Sequence, residues 1–278
     1  MFVHFAELGS RMSDEYLIKK ISAVNLRFRA AGRAALLHCL GCLVVALIAA
    51  ALVFGIWFPH PYEAIEGGGK LFALVISIDV VCGPLLTFIL FDPKKSNKEL
   101  VRDLSFVVLV QLAALVYGLC SVYIARPVFL AFEVDRFQVI SAAEISEQDL
   151  SNARQPFQKL SVLGPAVIAV EVPKPGDPTY LQSIELTLNG LEPSLRPSLW
   201  RSYDEQRESV KRKLRSIAEL KLRHQEKHIL INSEIAKTGM PEDELGYLPV
   251  VGRGGSGWIA LITRNEANLL GFVEVDGF

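Results

Sequence analysis

Residues 34–58 form a run of 25 with no Asp, Glu, Lys or Arg. A bilayer core takes about 20 apolar residues in a helix, and a buried soluble helix of this length would carry some charge. The run is read as a transmembrane helix, with Gly41 and Gly55 tolerated inside it. Two further runs follow. Residues 71–91 contain one charged side chain, Asp79, and residues 106–125 contain none. The loops between them, 59–70 and 92–105, are short and polar. A cleaved signal peptide does not suit the first run. The run is longer than the ~7–15 apolar residues of such a core, it begins well inside the chain, and Phe58-Pro59-His60-Pro61-Tyr62 is a poor cleavage site. The residues before Met12 read as an extension or as a start placed too early.

Orientation follows from Lys and Arg near the ends of the spans. Arg11, Lys19, Lys20, Arg27, Arg29 and Arg33 precede the first run, and Lys94, Lys95, Lys98 and Arg102 lie in the 92–105 loop. The 59–70 loop has only Lys70. Residues 1–33 are therefore expected to be a cytoplasmic basic segment and 34–125 a three-helix membrane region (34–58, 71–91, 106–125). Residues 126–278 are then expected to be a periplasmic domain at the bacterial inner membrane. Trp57, Phe58 and Tyr62 cluster at the outer end of the first run, where amphipathic aromatics favour the interface. The prolines at 59 and 61 stop the helix there. A net charge of −1 gives no reason to expect a nucleic-acid partner.

The second half has ordinary globular composition and no cysteine; Cys39, Cys42, Cys82 and Cys120 all fall in the apolar runs. Residues 128–140 read as one or two strands, 142–154 as a short helix, and 166–172 as a buried strand. Residues 173–178 form a proline-rich loop. Tyr180, Ile184 and Leu188 mark a short amphipathic helix. Residues 198–221 read as a longer charged helix, capped by Ser198, with Val210, Leu214, Ile217 and Leu220 (or Lys221 in its place) as its apolar stripe. Residues 224–235 continue it or form another helix. Residues 252–257 form a turn between the two final strands, and 258–263 with 269–275 a closing hairpin. The fold class is a membrane protein: three transmembrane α-helices followed by a mixed α+β soluble domain.

Several motifs carry a family resemblance. They are Phe58-Pro59-His60-Pro61-Tyr62, Gly67-Gly68-Gly69, Asp79-Val80-Val81-Cys82-Gly83-Pro84-Leu85-Leu86-Thr87 and Phe91-Asp92-Pro93-Lys94-Lys95. Arg102-Asp103-Leu104, Gln111-Leu112-Ala113-Ala114-Leu115, Tyr117-Gly118, Arg126-Pro127-Val128 and Phe132-Glu133-Val134-Asp135-Arg136-Phe137 follow in order. From about Arg29 to Ile145 the chain resembles type IV pilin accessory proteins of the TfpX/TfpZ type. The resemblance implies a non-enzymatic inner-membrane factor that promotes pilus assembly, with type IV pilin and the assembly machinery as partners besides membrane lipid. It implies no cofactor and gives no catalytic residue. Beyond residue 145 it is looser.

Within the membrane region, Asp79, Gly83 and Thr87 stand at i, i+4 and i+8 on one helix face. Gln111, Ala114, Gly118 and Ser121 form a similar stripe on the third run. Small residues let helices approach, and polar ones bond across the contact. The two stripes are expected to meet, with Asp79 bonding Gln111 or Tyr117, and Pro84 is expected to kink its helix. Asp79, Gly83, Pro84, Thr87, Gln111, Tyr117 and Gly118 are thus the candidates for intramembrane packing or partner binding. Asp79 admits three readings: a clasp inside the bundle, a contact to a pilin's membrane helix, or a proton path in a small sensor or transporter. Too little chain precedes the first run for a sensor's output domain, and a transporter carries more spans and polar groups.

Other patterns take plainer readings. Cys39 and Cys42 form C-x-x-C without the context of a redox motif, so apolar packing is expected. His224 and His228 have the i, i+4 spacing of metal ligands but lack the following glutamate and a third ligand, so a solvated face is expected. Arg253-Gly254-Gly255-Ser256-Gly257 lacks the Lys-Ser/Thr of a phosphate loop and reads as a flexible turn. Lys211–Lys213 with Arg215 read as a solvated basic face, with anionic lipid heads the alternative.

Overall fold

The computed structural model describes residues 2–278, with side chains at 22 and from 24 onward apart from Ser256. Met1, where one reading of the start falls, lies outside the described residues. So do the side chains of Met12 and of the basic Arg11, Lys19 and Lys20. The chain forms two compact units, residues 1–50 with 72–120, and residues 51–71 with 121–278.

The long helices are α1 (Phe2–Leu52), α3 (Gly68–Leu90) and α4 (Asn97–Ile124), with a single turn, α2 (Tyr62–Ile65), between the first two. Segments Val24–Trp57, Gly68–Leu90 and Asn97–Ile124 are each long and apolar enough to cross a membrane. The helices outrun the apolar runs. The basic segment before residue 34 continues α1, which closes in a π-helical turn over Val53–Trp57. The start of α4 falls nine residues before the run at 106 because Ser96 and Glu99 cap it there. The Glu99 N–H donates to Ser96 Oγ at 3.4 Å, and the Ser96 N–H donates to Glu99 Oε2 at 3.0 Å, two reciprocal bonds that satisfy free helix-end donors. In the connection from α3, Lys95 Nζ donates to Leu90 O at 2.9 Å and to Asp103 Oδ2 at 2.8 Å. That cation ties the last carbonyls of one helix to the first turns of the next.

The second unit is built on one mixed sheet. Its strands are β1 (Pro127–Glu133), β2 (Arg136–Ser141), β3 (Ala166–Val170), β4 (Trp200–Ser202), β5 (Arg215–Ser216), β6 (Leu245–Gly252), β7 (Gly255–Thr263) and β8 (Leu269–Val273). They run in the order β4-β3-β1-β2-β6-β7-β8, with β5 also on β6. The β1/β3 and β2/β6 pairs are parallel and the rest antiparallel. Pro249, a residue that cannot donate to a ladder, sits where β6 changes neighbour. Residues 246–247 pair with β5 and 250–251 with β2.

Side chains alternate between the faces. One face presents Leu130, Phe132, Phe137, Val139, Leu248, Val250, Ala260 and Ile262. The other presents Ala131, Ile140 and Ile168 toward Trp200, and Tyr247, Ile259 and Leu261 toward Ile217, Leu220 and Ile231. Helices α5 (Glu147–Leu150), α6 (Tyr180–Leu188), α7 (Arg207–Lys213), α8 (Ile217–Arg223) and α9 (His228–Thr238) complete the unit.

Four sequence readings change. Residues 142–154 are not one helix. Ser141–Glu144 and Ser146–Asp149 each close a separate short turn with their own side chains. Residues 198–221 are not one helix either. Trp200 is drawn into β4 and fully buried, α7 sends Val210 to the first face, and β5 breaks the chain so that Ile217 and Leu220 in α8 reach the other. A single stripe was legible there because residues serving two separate cores share helical spacing. The turn read at 252–257 is shorter, since β7 already begins at Gly255, and it joins β6, unforeseen as a strand, to β7. Finally, α6 is helical as expected, but its polar side faces inward. Arg196 donates to Ser183 Oγ at 2.9 Å and to Thr187 Oγ1 at 3.2 Å, leaving Leu181 and Leu188 exposed.

The loop between the first two spans is polar by composition but is part of the second unit's core. Tyr62 and Ile65 are buried with the first face's residues, and the Tyr62 ring meets Phe272 edge-on at 5.5 Å. Phe58 is buried as well, against Gly68, where a Cβ would overlap its ring. Ile65→Ala, which empties a fully buried site, is expected to cost about 2–4 kcal/mol. Leu181→Ala on the exposed side of α6 should stay within about 0.5 kcal/mol. Thermal unfolding of the detergent-solubilised protein followed by circular dichroism checks both.

Candidate functional site

The first unit is held by polar contacts on a seam of small residues. Along α1, Ala31, His38, Cys42 and Ala49 recur at helical spacing on the less exposed side. From α4, Gln111 Nε2 donates to the backbone carbonyl of Asp79 in α3 at 3.0 Å and approaches Cys42 Sγ in α1 at 3.7 Å. One amide therefore touches all three spans. Gly83 makes room for it, since a Cβ there would fall inside the Gln111 amide. Gly118 in α4 serves likewise against Val75 of α3. Pro84 lies inside α3 and withholds an N–H from the carbonyl four residues back. The Gln111 bond reaches the carbonyl immediately before that gap.

The two stripes meet, but through the Asp79 peptide group and the Gln111 side chain. Asp79 also lines a largely apolar cavity of about 240 Å³ with His38, Cys42, Ile76, Gln111 and Leu115. Thr87 is buried and shares a hydrogen bond of 2.5 Å with His38 Nδ1. Tyr117 is 76 % exposed, and Ala114 is exposed too, while Leu115 takes the buried position on that face. His38 escapes the sequence reading because a histidine does not interrupt a run defined by the lack of Asp, Glu, Lys and Arg. The signal was its i, i+4 spacing to Cys42. At the end of the bundle, Arg27 reaches Ile89 O at 3.4 Å and Asp92 at 3.6 Å, and Phe28 stacks on Phe88 at 5.9 Å.

The second unit contains a close backbone junction. The Gly254 N–H donates to Ile65 O at 2.7 Å, and the Arg253 N–H donates to Glu66 Oε1 at 3.3 Å. A Cβ on Gly254 would lie 2.6 Å from Ala64 O, and one on Gly252 would lie 2.7 Å from Ile65 O. The glycine-rich turn is thus a docking surface for residues 62–66, and its lack of side chains lets two backbones touch. The Glu66 side chain is 1 % exposed, with Arg253 Nε 3.9 Å away, and Arg253 also reaches Glu144 at 3.6 Å and Ser141 Oγ at 2.5 Å. Burial pushes the Glu66 carboxyl up to about 7; the Arg253 N–H opposes the rise, and the Glu144 carboxylate adds to it.

The remaining candidates separate. His228 Nε2 bonds Lys221 O at 2.6 Å, and His224 faces Glu226 at 3.6 Å, so the two imidazoles do not converge. No group of three or more metal-ligating side chains occurs among the described residues. Lys211 pairs with Glu208 at 2.7 Å, while Arg215 bonds Asp135 at 3.2 Å and Gly277 O at 2.7 Å, which removes it from the solvated basic face.

The comparison with known proteins falls on this frame. Residues 26–67, from the Arg27 contact through the first span to the docked turn, match the family model for the fimbrial assembly protein FimB. A "Fimbrial assembly protein, serogroup I" of Dichelobacter nodosus is 34 % identical over 254 residues, covering 91 % of this chain and 98 % of the relative. The serogroup E1 protein is 33 % identical over 256 residues with the same coverage. That for serogroups C1 and C2 is 44 % identical over 127 residues, 46 % of this chain and 97 % of the relative. The chain belongs to the fimbrial assembly protein family. No solved structure matches it.

Two predictions follow from these contacts. Gly83→Val should displace the Gln111 amide and destabilise the bundle by about 1–3 kcal/mol. Leu109→Ala on the exposed side of α4 should not, as read by thermal unfolding in detergent. Glu66 titrates near 4.5 when unfolded and near 7 when docked. Its support for docking is therefore complete below about 4.5 and is lost progressively as pH rises from there through about 7, a span of roughly 3 kcal/mol. Glu66→Gln should raise the melting temperature above neutral pH and flatten its pH dependence, with little change in acid.

Proposed function

We propose that this chain is an inner-membrane accessory factor of the TfpX/TfpZ type that acts, chaperone-like, on type IV pilin during pilus assembly. The relation to fimbrial assembly proteins over 91 % of the chain is the observation that carries this reading. The three-span bundle offers a berth for an apolar helix. Most of its surface is exposed aliphatic side chain, such as Leu36, Leu47, Leu74, Val81 and Val116. The largely apolar cavity lined by Asp79 and His38 gives that surface a recess at which a second helix can be recognised.

The orientation is part of the proposal. Ten basic residues flank the ends assigned to the cytoplasm against one in the 59–70 loop. That residues 51–71 and 121–278 share one compact unit supports a loop and a domain on one side of the membrane, the periplasmic side in this reading. There the domain would meet the globular part of a pilin whose apolar helix is still anchored in the bilayer.

A deletion strain should lose most surface pili while pilin is still made. Full-length protein should copurify with pilin, and Asp79→Leu should weaken that recovery several-fold without lowering the level of the protein. Normal piliation in the deletion strain would reject the function. A C-terminal reporter active only in the cytosol would reject the orientation.

A further inference from the structure

The loop from residue 157 to 165 is fixed to the ends of two membrane spans. Trp57 at the end of α1 and Tyr123 at the end of α4 pack edge-on at 5.1 Å. Arg126 is buried, with its guanidinium 3.8 Å from the centre of the Tyr123 ring. Its Nη1 donates to Tyr123 O at 2.9 Å and its Nε to Ser161 O at 3.2 Å. Three residues on, Gly164 is buried with φ +77°, and a Cβ there would lie 3.1 Å from Pro59 Cγ and 3.8 Å from Ile56 O. Phe157 and Leu160 pack on the core earlier in the loop. Between the two fixed points, Val162 is 49 % exposed and Leu163 82 %.

A tip held this firmly, with an aliphatic side chain turned outward, is not explained by the domain's own core. Its neighbours identify the surface it faces. Trp and Tyr at helix ends mark the membrane–water interface, and the tip is bonded to that aromatic pair through Arg126. Lys159 and Arg154, both exposed, supply cations on the residues leading into it, a composition suited to lipid head groups. We propose that Val162 and Leu163 insert into the leaflet at which α1 and α4 end, so that the loop is a lipid anchor of the soluble domain. The leucines exposed on α6 have no comparable tie to the span ends.

The test uses the full chain in nanodiscs of phosphatidylethanolamine and phosphatidylglycerol. A fluorescent amino acid replaces Leu163 by codon suppression, leaving the native cysteines in place. Matching probes at Leu109, on the lipid-facing side of α4, and at Asp243, in an acidic turn, serve as lipid and water references. Brominated acyl chains should quench the probe at 163 several-fold more than the probe at 243, and aqueous iodide should do the reverse. A probe at Val162 should repeat the result if the first substitution disturbs folding by circular dichroism. Quenching at both positions by iodide alone would overturn the proposal by placing the tip in water. Protection from both quenchers would overturn it by placing a second copy of the chain over the tip. Neither result bears on pilin binding.

Discussion

The contact on which the rest of this molecule depends is a backbone touching a backbone. Ile65 O accepts from the Gly254 N–H at 2.7 Å, and the approach is possible only because positions 252 and 254 carry no Cβ. That junction makes a connection between two membrane spans part of the core of a domain whose sheet begins at residue 127. A chain that crosses a bilayer between residues 68 and 90 and again between 97 and 124 must bring both pieces to the same side. The docked turn requires that parity independently of any count of basic residues. It also places an acidic group, Glu66, where only Arg253 and a few polar atoms offset the loss of water. The junction is therefore weaker when that group is charged.

The bundle follows a different logic. Apolar side chains gain little by leaving lipid for one another, so helices in a membrane associate through close packing and hydrogen bonds. Gln111 supplies such a bond, and Gly83 and Gly118 supply the closeness. Net gains from such bonds are modest, about 1–2 kcal/mol at most in membrane proteins. The seam needs its several polar contacts together: Gln111 to Asp79 O, His38 to Thr87, and Arg27 to the end of α3.

Composition and period made the spans legible, because an uncharged run of this length has few alternatives. Strands β1, β2, β3, β7 and β8 were legible because alternation and turn residues agree there. The 198–221 segment was misread for a physical reason. Val210, Ile217 and Leu220 keep helical spacing although a strand intervenes, and only the pairing of Arg215 and Ser216 with β6 reveals the break. The docked turn was hidden by its polar composition; Tyr62 and Ile65 are too few to signal burial, and their partners lie far away in sequence. In the membrane, residue spacing placed Asp79, Gly83 and Thr87 on one face but could not show which atom of Asp79 would be bonded. His38 passed unnoticed because hydropathy patterning asks only whether a residue is charged.

The extent of the family model has a structural counterpart. Residues 26–67 form the stretch whose side chains enter each level of the organisation in turn. Arg27 and Phe28 hold the end of α3, His38 and Cys42 meet α3 and α4 within the seam, and Tyr62, Ile65 and Glu66 join the sheet domain. The short relative, 44 % identical over 127 residues, matches less than half the chain, whereas the longer two match 91 % of it. The first span and its turn are tied at both ends of their length, at Arg27, Phe28, His38 and Cys42 to α3 and α4 and at Tyr62, Ile65 and Glu66 to the sheet. The first span and its turn thus take part in two kinds of packing, one governed by lipid and one by water.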